Sequence, residues 1–149
     1  MRIYHLDRVP PSLYIDEADH GLQARSLIQT AKDYQGERSP FWVHSFNDIR
    51  TPIPAYLTVL TTVIFKTPEF QVRMPSVLAG TFVVVIVFLL VNLWTKNFAA
   101  AAFTAAVFAT NPWQIQFSRF SHEGMPMLAL FLSGIYFFIS LYRIKIINF

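Results

Sequence analysis

Hydrophobic residues are distributed very unevenly along this chain. Residues 1–73 hold most of the ionisable groups, whereas residues 74–149 are nearly all apolar. Within the second region, the stretches 74–95, 97–118 and 124–142 contain no charged residue. Each stretch approaches or exceeds the roughly 20 residues that a helix needs to cross about 30 Å of hydrocarbon. The pattern therefore predicts an all-α membrane protein with three transmembrane helices after a polar segment.

Two features of these stretches bear on the choice between lipid and water. The run 82–91 is rich in valine and would favour a strand in water. In lipid an isolated strand leaves its backbone groups unpaired, so a helix is expected there. Three buried helices of a soluble bundle remain an alternative, but the stretches lack the polar face that such helices usually carry.

The polar region, 1–73, contains two predicted juxtamembrane helices. One begins near the Asp16-Glu17 pair and runs to about Lys32, with apolar positions at helical spacing. The other covers 53–66, with apolar residues on one face and threonines on the other. It is too short to span a bilayer and fits a helix lying in the membrane interface. A short or tilted span, which would invert the topology, stays open as the alternative.

Composition and charge narrow the possible functions. Charged residues make up 14% of the 149 positions, against about a quarter in soluble domains. The net charge of +3 comes from scattered basic residues, so no nucleic-acid partner is expected. The chain has no cysteine, which excludes disulfides and thiolate metal sites.

The distribution of basic residues predicts a membrane orientation. Short basic loops tend to stay cytoplasmic, which places Lys96 and the tail after the third span inside. Residues 1–73 and the loop 119–123 then lie outside, and the aromatic segment 41–46 fits the headgroup level. The two polar regions therefore share one surface of a multi-pass protein in the cell membrane.

A series of short motifs runs along nearly the whole chain. They are Tyr-Ile-Asp-Glu-Ala at 14–18, Asp-Tyr-Gln-Gly at 33–36, Pro-Ile-Pro-Ala-Tyr-Leu at 52–57, Arg-Met-Pro-Ser at 73–76, Asn-Pro-Trp at 111–113 and Phe-Ser-Arg at 117–119. Together they resemble glycosyltransferase family 39, which contains the dolichyl-phosphate-mannose–protein mannosyltransferases and the bacterial lipid A aminoarabinose transferases. The resemblance implies a GT-C-type fold, with an outer-face segment carrying interfacial helices ahead of the transmembrane helices.

The resemblance also implies an activity. Members take a sugar from a polyprenyl-phosphate donor and pass it to an acceptor protein or glycan at the outer or lumenal face. The aminoarabinose branch has a lysine before its Pro-Pro pair, and Arg50-Thr51 precedes Pro52 here, so we expect a hexose such as mannose. The family has a transmembrane helix before the acidic pair and more spans after the third. We therefore expect a truncated, N-terminal portion that is inactive alone.

The resemblance assigns functional roles to Asp16, Glu17 and Arg73, and Arg119 is added because it is predicted to lie on the same outer surface. Asp16, with Glu17 completing the pair, is expected to be the base that deprotonates the acceptor hydroxyl. Helix capping by Asp16 and a favourable dipole interaction of Glu17 are the structural alternative. Arg73 and Arg119 are expected to bind the donor phosphate, because a planar guanidinium matches phosphate oxygens. The alternative for both arginines is anchoring at the headgroups.

Two more residues complete the predicted site. Glu123 and His122 are candidates for a second carboxylate and a metal ligand, although Glu123 could also serve the start of the third span together with Ser121. A divalent metal ion is left open, because family members differ in whether they need one. The alternative to an enzyme is a non-catalytic membrane assembly or transport module. The absence of ionisable groups from the three stretches argues against a transporter.

Overall fold

The computed structural model describes residues 2–38, 41–45 and 48–147. This part of the chain is mostly helical. Its elements, in chain order, are α1 Ile15–Thr30, β1 Val43–Ser45, β2 Asp48–Arg50, α2 Ile53–Ile64, α3 Pro68–Thr95, α4 Phe98–Thr110, α5 Pro112–Ser118 and α6 Gly124–Ile147.

Helices α3 and α6 form the long apolar part of the fold. Within the described residues, Pro68–Thr95 and Gly124–Arg143 are long and apolar enough to cross a membrane, judged by length and composition. Arg143 Nη2 donates to the carbonyl oxygen of Trp94 at 3.4 Å, so the carboxyl-terminal ends of both helices lie together. Their amino-terminal ends both approach α1. The two helices therefore run in the same direction, and the chain between them returns.

The returning segment is divided where a single second span was predicted. Helix α4 ends at Thr110 and α5 begins at Pro112. Proline has no N–H to continue the helix and disfavours a helical conformation at the residue before it. The Asn111 side chain instead caps α5 by accepting from the N–H groups of Trp113 and Gln114. Because α4 has 13 residues, it reaches about 20 Å at about 1.5 Å per residue. The three-span count stays a prediction.

Helix α2 packs with its polar face inward. Thr58 and Thr61 are buried, and the Thr61 hydroxyl donates to the carbonyl oxygen of Gln71 at the start of α3. The apolar side chains of Leu60, Val63 and Ile64 are 63–77% exposed. Exposed apolar surface is unfavourable in water and is expected where a helix face meets lipid. The arrangement supports the predicted interfacial helix.

A short hairpin includes part of the aromatic segment 41–46, whose position at the headgroup level stays a prediction. Strands β1 and β2 pair antiparallel, with Val43 opposite Arg50 and Ser45 opposite Asp48. Gln23 of α1 donates to the carbonyl oxygen of His44 at 2.9 Å, which fixes the hairpin against α1. Phe41 and Trp42 are exposed; Phe46 lies outside the described residues. The hairpin thus carries β2 to the side of α1.

Candidate active site

A polar cavity of about 230 Å³ lies beside α1 at the end where α3 and α6 begin. Three segments build its wall. Helix α1 contributes two side chains one turn apart, β2 contributes two neighbours, and the loop before α6 contributes two more: Asp16, His20, Ile49, Arg50, His122 and Glu123. Residues four apart on a helix share a face, which explains why Asp16 and His20 enter together. The cavity gathers two carboxylates, two imidazoles and one guanidinium.

Asp16 and Arg50 form an ion pair across the cavity. Arg50 Nη1 lies 2.6 Å from Asp16 Oδ1, and the two side chains are 23% and 27% exposed. Burial lowers the pKa of Arg50, but the hydrogen bond and charge of Asp16, with the charges of Asp19 and Glu123, outweigh it and raise this pKa overall. Arg50 is therefore a permanent cation next to a partly exposed carboxylate.

His20 lies deeper in the same cavity and is 3% exposed. Its Nδ1 is 2.8 Å from the Ser121 hydroxyl, and its Nε2 has no hydrogen-bond partner in the described part of the chain. Burial lowers the pKa of His20, an effect that the nearby carboxylates of Asp19 and Asp16 oppose without cancelling. The imidazole is accordingly neutral near pH 7.

Glu17 and Arg73 form a buried pair behind the cavity, each with a side chain that is 0% exposed. Arg73 Nε donates to Glu17 Oε1 at 2.9 Å and Arg73 Nη2 to Oε2 at 3.0 Å. The remaining arginine donors reach the carbonyl oxygens of Leu6, Pro10 and Ser12. All five N–H groups of Arg73 are thereby used within the chain, so a phosphate would have to displace them.

Glu17 also organises the backbone around it. Its Oε2 accepts from the N–H of Tyr14 at 3.0 Å, and its Oε1 accepts from the N–H of Ser121 at 3.1 Å. Tyr14 is the cap residue of α1, so the capping role considered for Asp16 is wrong. Glu17, at the third position of the helix, instead accepts the hydrogen bond from the backbone N–H of the cap residue. Asp16 is left free to face the cavity.

Arg119 is the second arginine that the sequence assigned to a phosphate. Its contacts include the carbonyl oxygens of Tyr4 and Val9, each at 2.9 Å. Burial, and secondarily the charge of Arg73, lowers the pKa of Arg119. Arg73 and Arg119 together hold residues 2–12 against the helix ends, beside the polar cavity and outside its lining.

His122 and Glu123 are the residues that the sequence predicts as possible ligands of a divalent metal ion. Within the described ranges, no group of three or more His, Asp or Glu side chains is arranged to hold a metal ion. His122 and Glu123 do line the cavity, but His122 Nδ1 already accepts from the N–H of Gly124 at 2.9 Å. A divalent ion at these two residues stays a prediction.

Two apolar grooves adjoin the polar cavity. One, of about 400 Å³, shares Glu123 with it and runs between α2 and α6. The other, of about 360 Å³, shares His122 with it and follows the other side of α6. Met127 and Phe131 line both grooves. A ligand with a polar head and an apolar tail could thus keep its head in the cavity and its tail along α6.

Comparison with known proteins places this geometry in a family. Residues 49–145 match the family model described as dolichyl-phosphate-mannose-protein mannosyltransferase. The chain belongs to this family. No curated protein and no solved structure matches it. The family membership indicates a glycosyltransferase of the mannosyltransferase kind, and the matched region includes Arg50, Arg73, Arg119, His122 and Glu123.

The structure divides the residues predicted for this mannosyltransferase-family chain into two groups. Asp16, His122 and Glu123 line one cavity, whereas Glu17, Arg73 and Arg119 lie beside it with partners in the chain. Three further lining residues, His20, Ile49 and Arg50, were not among the predicted site residues, and the two polar ones differ in how easily the sequence reveals them. The spacing from Asp16 to His20 on α1 could have revealed the histidine. Arg50 had no such signal, because only the hairpin brings it to α1.

Proposed function

We propose that this chain carries the reaction site of a membrane glycosyltransferase that moves a mannose-like hexose from a polyprenyl-phosphate donor to an acceptor. The observation that carries the proposal is the pairing of Asp16 with Arg50 in a cavity that shares lining residues with two apolar grooves. A base, a cation for phosphate and a place for an isoprenoid chain occur side by side. Family membership supports the same reaction class.

Asp16 acts as the general base in this proposal. The acceptor hydroxyl loses its proton to the carboxylate as its oxygen forms a bond to the anomeric carbon. The bond from that carbon to the phosphate oxygen breaks, and the phosphate leaves with the electron pair. Proton transfer to a positioned carboxylate contributes about 10²- to 10⁴-fold to such reactions. The partial exposure of Asp16, 27% of its side chain, leaves it open to an acceptor.

Arg50 binds the leaving phosphate. Its planar guanidinium suits phosphate oxygens and stabilises charge that builds on them. In the free protein Arg50 is bound to Asp16 at 2.6 Å, which neutralises the base. A donor phosphate that takes over Arg50 would release the carboxylate. Binding of the donor thereby prepares Asp16 for the acceptor.

Glu17, Arg73 and Arg119 are positioning residues in this scheme. The buried Glu17–Arg73 pair fixes the first turn of α1 and thus the direction of Asp16. Arg119 holds the N-terminal segment beside the loop that carries His122 and Glu123. In this scheme the phosphate role that the sequence predicts for Arg73 and Arg119 is taken by Arg50, the arginine that lines the cavity.

The proposal includes a cell-membrane location with the cavity facing outward. Lys96 follows the end of α3 that lies near Arg143, far along α3 and α6 from the cavity. Basic residues at that end favour the cytoplasmic side. The prenyl chain would lie in the grooves along α6, among side chains such as Leu130 and Phe131.

The decisive experiment uses the full-length protein and a polyprenyl-phosphate hexose. Asp16→Asn should abolish transfer while membrane insertion and thermal stability are unchanged, and Arg50→Gln should raise the KM for the donor. Asp7→Asn and Arg8→Gln are matched controls, because these two exposed residues form a pair in the same N-terminal segment. Full transfer by Asp16→Asn would refute the catalytic assignment and favour a non-catalytic module.

Orientation can be tested separately. Because this chain has no cysteine, single cysteines at Asp7 and Lys96 can be probed with a membrane-impermeant maleimide in intact cells. We expect labelling at position 7 without permeabilisation, and labelling at position 96 only after it. Labelling of both positions from one side would contradict the proposed topology.

A further inference from the structure

We propose that His20 recognises the transferred sugar by a hydrogen bond from its Nε2 to one hydroxyl group of the donor hexose. The inference rests on the proposed function and adds a specificity-determining residue to it. His20 lines the cavity of Asp16 and Arg50, yet the transfer chemistry described above makes no use of it.

The first observation is an unpaired atom. His20 is 3% exposed, and its Nε2 has no partner among the described residues. Buried ring nitrogens are normally hydrogen-bonded, and leaving one unpaired lowers stability. The other ring nitrogen, Nδ1, is bound to the Ser121 hydroxyl at 2.8 Å. One nitrogen is thus fixed by the protein and the other remains for a ligand in the cavity.

The second observation is that the ring is held rigidly. Ser121, which binds Nδ1, donates its own N–H to Glu17 Oε1 at 3.1 Å. Glu17 is in turn held by the fully buried Arg73. A chain of contacts from Arg73 through Glu17 and Ser121 therefore fixes the orientation of the imidazole. Recognition groups that are held in place in this way discriminate best between similar ligands.

The third observation concerns charge. The groups facing His20 are Asp16 and Asp19 from α1, Arg50 from β2 and His122 from the loop before α6. Burial lowers the pKa of His20 most, the charges of Arg50 and His122 lower it further, and the two carboxylates oppose this without cancelling it. The imidazole is neutral, so either tautomer can occur. A hydroxyl group can donate to Nε2 or accept from it, whereas a phosphate oxygen can only accept. Since Arg50 already offers a full charge for phosphate, a sugar hydroxyl is the better partner for His20.

The test compares donors that differ by one hydroxyl. The full-length enzyme is assayed with a polyprenyl-phosphate hexose and with its set of monodeoxy analogues. For the wild type we expect one analogue to lose on the order of 10- to 100-fold in kcat/KM, the effect of one buried hydrogen bond. His20→Phe, which fills the space without hydrogen bonding, should lose a similar factor with the parent donor. It should then use the parent and that analogue equally.

Two companion variants keep the inference falsifiable. Ser121→Ala removes the partner of Nδ1 and should weaken discrimination at the same hydroxyl only. His20→Gln, which retains an amide able to donate and accept, should keep part of the discrimination and serves where His20→Phe does not fold. Unchanged discrimination among the analogues in the folded His20 variant would overturn the inference. If wild-type transfer survives in Asp16→Asn, the proposed function fails instead, so the two failures are distinguishable.

Discussion

Replacing Arg73 by methionine should destabilise the chain by roughly 3–5 kcal/mol, because it removes one half of a buried ion pair. Both Arg73 and Glu17 have side chains that are 0% exposed, and two parallel N–H···O bonds of 2.9 and 3.0 Å join them. The variant leaves the Glu17 carboxylate buried, with the N–H groups of Tyr14 and Ser121 as its remaining donors.

The size of the effect follows from which groups can find new partners. The carbonyl oxygens of Leu6, Pro10 and Ser12 also lose donors in Arg73→Met. They belong to the N-terminal segment, which can move into water and recover hydrogen bonds there. Glu17 cannot move in this way, because it is part of α1. The buried charge of Glu17 therefore dominates, because the carbonyl oxygens that lose the guanidinium can accept hydrogen bonds from water instead.

The assay is reversible unfolding in detergent micelles, followed by the fluorescence of the three tryptophans. Arg8→Met is the control, because Arg8 is 75% exposed in its pair with Asp7 and its loss should change stability by less than about 0.5 kcal/mol. The double variant Arg73→Met with Glu17→Met should be no less stable than Arg73→Met alone. A double variant whose cost equals the sum of the two single costs would refute the reasoning, since the charges would then be independent.

Three further predictions use the same unfolding measurement. Asp19→Leu should raise stability by about 1–3 kcal/mol, because Asp19 is 1% exposed and neither carboxylate oxygen has a hydrogen-bond partner in the described structure; a loss of stability would contradict this. Gly80→Ala should lower stability by about 1–3 kcal/mol, because the added Cβ would lie 2.5 Å from Ser118 Cβ. Gly134→Ala is the control and should be neutral or slightly stabilising, because its added Cβ would meet no neighbouring group within 4 Å. Since the pKa of His20 is lowered from its ordinary value of 6.5, its contribution to stability is complete above about pH 6.5. That contribution is lost as the pH falls, because the unfolded state then binds the extra proton; His20→Phe should flatten this part of the pH profile.

The helical elements could be predicted from local patterns. The uncharged stretches predict α3 and α6, and the apolar and threonine faces of 53–66 predict α2. The break at Asn111-Pro112 was also visible in the sequence, since proline ends the hydrogen-bond ladder of a helix. The sequence did not suggest a hairpin, because each strand has three residues, too few to show an alternating pattern.

The site was harder to predict, because the sequence does not show which residues the arginines pair with. Asp16 was predicted from its motif, Glu123 from its place after the Phe-Ser-Arg motif and His122 as its neighbour, and the three share a cavity. A motif can identify an arginine as a candidate, but it does not show what the arginine binds. In the structure Arg73 donates to backbone carbonyl oxygens and to Glu17. Arg50 reaches Asp16 because the β1–β2 hairpin docks on α1, where Gln23 donates to the carbonyl oxygen of His44, a residue distant in sequence. Long-range placement of this kind has no local pattern.

Two arginines hold the N-terminal segment through its main chain, which affects how well this segment tolerates substitutions. Arg73 and Arg119 contact main-chain oxygens of this segment, from Tyr4 to Ser12. Every amino acid has this carbonyl oxygen, so the two arginines bind the main chain of the segment and do not depend on its side chains. Leu6 is buried, and Arg2 donates to the carbonyl oxygen of Ala109 and to the Gln114 side chain, so these two side chains are constrained. For the rest of the segment, we expect the length and path of the main chain to matter more than the identity of the side chains.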